Sequence, residues 1–350
     1  MSRLPDPAFW SKKRVLLTGQ TGFKGSWAAL WLSELGASVT GFALPAETTP
    51  HLFGLAGIED RITHLEGDLR DAEAVDNAVI AAKPDLVIHM AAQAIVGRAI
   101  RDPIETYGAN LIGTGHLLDA LRRFSPDAHC LVCTSDKVYR NDDTGRAFVE
   151  SDPLGGKDPY SASKAATELL VSSWRATYPG GALATARAGN VIGGGDFSEA
   201  RIIPDIVRAA AAGEPVILRH PEATRPWQHV LDCLGGYFLH TEAIAGSADL
   251  PALNIGPEPE PVTTVREAAE VITAALGSPG WAHQPVPGSV EMKMLSLDAT
   301  AARQALGWSD RLTRDEALHW TADWYRAWLD GADMASVSEA QLKAFLEATP

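Results

Sequence analysis

Tyr160 and Lys164 stand four residues apart in Tyr160-Ser161-Ala162-Ser163-Lys164. On a helix that spacing puts both side chains on one face, one turn apart. A phenol titrates near 10, so it accepts protons at neutral pH only where a neighbouring cation favours its ionised form. The pair therefore reads as a tyrosine base with its cation. A second cluster, Thr134-Ser135-Asp136-Lys137, sets hydroxyls, a carboxyl and an amine directly after the apolar run His129 to Cys133. A third stretch, Gly19-Gln20-Thr21-Gly22-Phe23-Lys24-Gly25, lies between Val15-Leu16-Leu17 and Trp27-Ala28-Ala29-Leu30-Trp31-Leu32. Strand, glycine turn and helix in that order bring bare backbone close to a ligand and aim free N–H groups at an anion. That is the phosphate cradle of a dinucleotide-binding βαβ unit.

The elements that must position these groups follow in regular alternation. Strands are predicted at Ser38–Ala43, Ile62–Leu65, Leu86–His89, His129–Thr134 and Leu183–Arg187, separated by helices such as Asp71–Ala82 and Pro103–Phe124. The pattern specifies an α/β chain with a doubly wound parallel Rossmann-type sheet and ligands at the carboxyl ends of its strands. A smaller, mainly C-terminal α/β substrate lobe is expected beside it. The dinucleotide-binding domain is placed at 1–187, with returns near 230–275, and the lobe at 188–229 and 276–350. At strand ends, Asp68 and Leu69 are candidates for the adenine, with capping of the next helix as the plainer role for Asp68. Ala91, Ala92 and Gln93 let backbone approach a cofactor. Asn110 faces inward on its helix. It is either a cofactor contact or a satisfied structural amide, and Thr134 is a further cofactor-side candidate. The nearest acid past the second strand is Glu47, and no arginine follows that strand, so NAD against NADP is weakly specified there.

Composition narrows the function classes. The 350 residues are 46% hydrophobic and 21% charged, with a net charge of −14. That balance disfavours non-specific binding to nucleic acid or to an anionic membrane surface. Cys130 and Cys133 have CxxC spacing but lie inside a strand, where they point to opposite faces and read as core, not as a metal or redox pair. No signal peptide and no run of 18 apolar residues is visible, so a cytoplasmic location is expected. Trp320, Trp324 and Trp328 make one stripe of a late helix, as core or subunit contact.

Taken together, the glycine loop, the Thr-Ser-Asp-Lys cluster and Tyr-x-x-x-Lys resemble the extended short-chain dehydrogenase/reductase family, and within it the nucleotide-sugar dehydratases and epimerases. Gly22-Phe23-Lys24-Gly25-Ser26-Trp27, Ala188-Gly189-Asn190-Val191-Ile192-Gly193-Gly194-Gly195-Asp196 and Arg225-Pro226-Trp227-Gln228-His229-Val230 carry the likeness further, from about Trp10 to Trp308. The chain departs from that pattern at Gln20, Ala94, Gly97-Arg98-Ala99-Ile100, Ala109 and Val138.

The resemblance implies NAD as cofactor, a nucleotide sugar as substrate (CDP-glucose foremost) and a 4,6-dehydration. Tyr160, with Lys164, would take the proton of the sugar's C4 hydroxyl, and Ser135 would hydrogen-bond that oxygen. Asp136 and Lys137 would jointly serve the loss of water across C5 and C6. Asp136 would have to hold a proton, which burial favours, and Lys137 would have to be neutral. Asn190, Arg201 and Arg225, with Arg219 as a weaker candidate, suit the diphosphate, because guanidinium groups fork onto phosphate oxygens. A homodimer joined through the helices of Asn110 and Tyr160 is implied as well. Another nucleotide-sugar dehydratase, an epimerase or reductase of the same fold, and a non-catalytic nucleotide-binding module are the competing readings.

Overall fold

The computed structural model describes residues 2–141, 144–258, 263–284 and 295–348. Parts of the expected loop 140–158 and of the expected lobe 276–350 lie outside them. Seven strands form one parallel sheet: β1 (Arg14–Thr18), β2 (Ser38–Ala43), β3 (Thr63–Glu66), β4 (Leu86–His89), β5 (His129–Cys133), β6 (Leu183–Ala188) and β7 (Ala252–Ile255), in spatial order β7-β6-β5-β4-β1-β2-β3. The order reverses beside β1, between β2 and β4, which places the crevice of an open α/β sheet over the glycine turn.

Both faces of the sheet are covered, as an all-parallel sheet requires. Alternate strand residues divide between the two cores. Val15, Leu17, Ile88, Leu131 and Cys133 meet helices α1 (Phe23–Glu34) and α5 (Val230–Ala245). Leu16, Val87, Cys130 and Val132 meet α2 (Ala72–Ala82), α3 (Pro103–Phe124) and α4 (Pro159–Thr177). The two cysteines thus point to opposite faces, as read from the sequence, and all three cysteines are free and buried. α3 is interrupted by a π turn over Gly108–Ile112. Asn110 lies within that turn and is buried, facing inward as read from the sequence.

The chain beyond β6 contributes short paired strands, Val191–Ile192 with Gln228–His229, Thr224–Arg225 with Thr263–Thr264, and Val216–Leu218 with Trp281–His283. Helices Ile202–Ala212, Val265–Leu276, Arg314–Leu329 and Met334–Glu347 surround them. A capping box starts the helix Val265–Leu276, Thr264 and Glu267 bonding each other's backbone N–H. The tryptophan stripe is core: Trp324 is buried and Trp324 and Trp328 pack edge-on against Phe197. Trp27 of α1 donates its indole N–H to Gly194 O at 2.9 Å, tying this region to the sheet. Among the described residues no helix is long and apolar enough to cross a membrane.

Candidate active site

The chemistry-bearing groups gather where β5 ends. Past Cys133 the chain makes a single turn, Asp136–Val138, capped by Ser135, whose Oγ accepts from Lys137 N at 3.2 Å and donates to Asp136 Oδ1 at 2.9 Å. Asp136 is 2% exposed. Lys137 Nζ lies 3.9 Å from Asp136 Oδ1, with a quarter of its side chain open to solvent. The other carboxyl oxygen faces Gly189, just past β6: a Cβ on Gly189 would sit 3.0 Å from Asp136 Oδ2 and 3.2 Å from Pro226 Cγ. Two motifs distant in sequence therefore meet at the Asp136 carboxyl.

Tyr160 and Lys164 enter from α4, whose start is fixed by Asp158 accepting from Ser161 N at 3.0 Å and by Pro159 in the first turn. Both are buried. Lys164 Nζ donates to Cys133 O at 3.1 Å, which draws the helix onto the end of β5. Burial pushes the Lys164 ammonium below its ordinary range, and the neighbouring Tyr160 phenol pulls the other way. The lysine thus lies buried one turn from Tyr160 on the same helix.

The glycine turn is built for close approach. Gly19 has φ +82°, and a Cβ there would lie 2.8 Å from Ala91 N. A Cβ on Gly25 would lie 1.9 Å from Gly19 O. The bare backbone of Gly22 opens α1 beside them, free of any side chain at its cap. This crevice fits a dinucleotide pyrophosphate, which needs backbone N–H groups at a helix start and no side chains in the way.

Several cofactor-side candidates are engaged elsewhere. Gln20 is fully buried, packed against Gly41 with Nε2 3.0 Å from His64 Nδ1, so only its backbone can meet a ligand. Asp68 does not cap α2. Asp71 does, accepting from Glu73 N and Ala74 N. Asp68 instead grips Arg70, which holds its carboxyl below the usual range. Asn110 is the satisfied structural amide: Oδ1 accepts from Gln93 N at 2.8 Å, and Nδ2 donates to Gln93 O and Ser163 Oγ. It positions the Ala91-Ala92-Gln93 loop against α4. Thr134 turns its hydroxyl to Glu168. Lys24 leans onto Tyr237 of α5, Nζ 3.5 Å from its OH.

The comparisons with known proteins agree with this architecture. The model of the NAD dependent epimerase/dehydratase family matches residues 15–256. The chain belongs to that family. It is 39% identical to CDP-glucose 4,6-dehydratase of Salmonella typhimurium, with 98% of this chain and 99% of that protein covered. It is 30% identical to dTDP-glucose 4,6-dehydratase of Xanthomonas campestris, over 90% of this chain and 95% of that one. In fold it superposes on dTDP-glucose 4,6-dehydratase of Bacillus anthracis, solved in complex with NAD, with TM-score 0.76, 23% identity and coverage of 92% and 99%.

Within the family fold, the four substrate-side candidates are dispersed. Asn190 gives its backbone O to Gln228 N at 3.1 Å. Arg201 is 3.5 Å from Asp196 Oδ2, Arg225 donates to Thr224 O, and Arg219 is exposed. Arg225 directly precedes Pro226, whose ring shares the Gly189 contact with Asp136.

One buried network was not foreseen. Glu168, one turn beyond Lys164, takes a two-pronged ion pair from Arg187 of β6 at 2.8 and 3.1 Å and a hydrogen bond from Thr185. Arg187 continues to Tyr139 OH at 2.8 Å, which donates to Asn254 Oδ1 at 2.6 Å. Burial raises the Tyr139 phenol to about 12. The network ties β6, β7 and α4 to Thr134 and Tyr139, the residues flanking the Ser135–Lys137 turn. Its signal in the sequence is a charged arginine inside the buried strand Leu183–Ala188, since a charge there needs a buried partner.

Proposed function

We propose that this chain is a nucleotide-sugar 4,6-dehydratase acting on CDP-glucose with bound NAD. The observation that carries the reading is the joint placement of Tyr160–Lys164 and Asp136–Lys137 around the end of β5, one set for an oxidation at C4 and one for an elimination across C5 and C6. The choice of nucleotide is supported by the likeness to the Salmonella typhimurium CDP-glucose enzyme across nearly the whole of both chains.

NAD+, held by the Gly19–Gly25 turn and the Ala91–Gln93 loop, would supply the electron-pair acceptor at C4 and the donor at C6. Tyr160 takes the C4 hydroxyl proton, with Lys164 balancing the phenolate charge. Ser135 hydrogen-bonds the same sugar oxygen. Once C4 is a ketone, the C5 hydrogen is acidic. Lys137, the more open of the pair, removes it while Asp136 protonates the departing C6 hydroxyl. Asn190, Arg201 and Arg225 are the groups whose chemistry suits the diphosphate.

A homodimer fits the surface. Ile104 and Ile112 of α3 and Leu169 of α4 are 79%, 53% and 63% exposed on two helices that pack side by side. Such a cluster is a candidate face for a second copy.

The test is incubation of the purified chain with CDP-, dTDP-, UDP- and GDP-hexoses. The reading expects a 4-keto-6-deoxy product, absorbing in strong alkali, from CDP-glucose at the highest kcat/KM. Inversion at C4 without loss of water would make the chain an epimerase instead.

A further inference from the structure

β1 and β4 lie side by side, and their last residues, Thr18 and His89, face each other in register. His89 closes a strand otherwise made of Leu86, Val87 and Ile88, and it is buried. The chemistry proposed above makes no use of it. The ring is nonetheless engaged at both nitrogens. Nδ1 lies 2.7 Å from Thr18 Oγ1, and Nε2 lies 2.9 Å from Thr114 Oγ1 of α3. Both threonines are buried as well.

These partners decide where the ring carries its proton. Thr18 Oγ1 accepts from Met90 N and from Ala91 N, each at 3.1 Å. Both lone pairs of that hydroxyl are taken, so its hydrogen goes to Nδ1. Thr114 donates its hydroxyl hydrogen to Asn110 O at 2.7 Å, so its oxygen accepts from Nε2. The two ends agree on a ring protonated at Nε2 alone. Burial, with Lys164 adding to it, disfavours a second proton. The hydrogen bonds therefore run one way, from Thr18 to His89 to Thr114 to Asn110 O.

Each end of that line holds a part of the site. At one end Thr18 fixes Met90 and Ala91, the backbone that closes on Gly19. At the other, Asn110 O lies in the π turn and also accepts from Thr167 of α4 at 2.9 Å. Asn110 Nδ2 reaches Ser163 Oγ, which donates to Tyr160 O at 2.7 Å. One imidazole thus joins the Ala91–Gln93 loop to the helix of Tyr160.

We propose that His89, with its proton on Nε2, is a positioning residue for the oxidation at C4, holding the Ala91–Gln93 loop and the helix of Tyr160 in one register. This rests on the reading of the chain as a dehydratase with bound NAD. That step sends a hydride to the cofactor and a proton to Tyr160, so its rate depends on how the two supporting elements are placed against each other.

The experiment compares the NAD+-loaded full chain as wild type, Thr114→Val and Thr114→Ser, with CDP-glucose as substrate. Valine keeps the side chain's shape but leaves Nε2–H without its acceptor, and serine keeps the hydroxyl. Thr114→Val should lower kcat about tenfold, the scale of a small misplacement at a reacting centre, with KM for CDP-glucose changed less than about twofold. Thr114→Ser should keep kcat within about twofold of the wild type. Long-range proton–nitrogen spectra of histidine-labelled wild type, with the His89 signal assigned through its cross-peaks to Thr114, read the tautomer without substrate. The proton is expected on Nε2 alone at about neutral pH, where an ordinary histidine is still exchanging a second one. A proton on Nδ1 or on both nitrogens overturns the proposal, as does a Thr114→Val chain with the kcat of the wild type. Either result, with the wild type active, leaves the dehydratase reading standing. A wild type that turns over no nucleotide hexose overturns both.

Discussion

Asp136 aims Oδ2 at Gly189 with so little room that a single added methyl would lie 3.0 Å from it. The glycine is therefore a spacer that lets the buried carboxyl and the Pro226 loop share one point. Gly189→Ala should displace the carboxyl by a few tenths of an ångström or more. We expect kcat to fall about 10- to 100-fold, as small misplacements at a reacting centre do, with the melting temperature nearly unchanged. Steady-state kinetics alongside calorimetry checks this, and an unaltered kcat contradicts the placement of Asp136 in the chemistry.

The pair Glu168–Arg187 is buried on both sides, with side chains 4% and 5% exposed. Removing one partner strands the other charge. Glu168→Gln should cost about 3–5 kcal/mol of stability, read as a shifted urea midpoint. Tyr139→Phe removes only a neutral hydroxyl from the same network and should cost about 1–3 kcal/mol. Equal, small effects would mean that the network is not a brace.

Stability should fall as the medium is acidified below neutrality. Burial, with Lys164 adding to it, lowers His89 to about 3, and burial lowers His229 to about 3 and His240 to about 4. Unfolded histidines titrate near 6.5, so below that pH the unfolded chain binds protons the folded chain refuses, and the stability these groups confer at higher pH is lost. Two buried acids oppose the trend. Burial raises Asp310 to about 6, so its contribution is present at low pH and fades as pH rises through 6. Burial raises Asp232 above the ordinary carboxylate range as well, with the same sign. Unfolding free energy should drop from pH 7 to 5. His240→Gln, whose amide can still reach Leu250 O, should flatten that slope by up to about 1.4 kcal/mol per pH unit. A slope untouched by the substitution contradicts a neutral buried His240.

If α3 and α4 form the subunit contact, charges on that face will separate the copies. Ile104→Glu with Leu169→Glu should convert a dimer to a monomer in sedimentation velocity, since both side chains are more than half exposed in the single chain. A wild type that sediments as a monomer at micromolar concentration refutes the proposal outright.

Much of this site was legible from spacing. The order strand, glycine turn, helix located the crevice, because glycine is the only residue that lets Gly19 and Ala91 approach. Tyr160 and Lys164 were legible because a helix repeats nearly every four residues. What stayed hidden was whatever depends on which strands become neighbours. Gln20 lies in the motif, yet its side chain is drawn beneath the loop by Gly41 and His64, from two other strands. Asp68 lost the capping role to Asp71 because Arg70 holds it. Arg187 carried no local sign of which residue would pair with it, since Glu168 lies 19 residues away.

The most direct measurement uses CDP-glucose labelled with deuterium at C4, turned over in ordinary water and read by mass spectrometry and NMR. Removal of the C4 hydroxyl proton by Tyr160, followed by elimination at Asp136 and Lys137, predicts a 4-keto-6-deoxy product with the deuterium at C6 and a solvent hydrogen at C5. A product that has lost the label to water, or that keeps it at C4, contradicts the account.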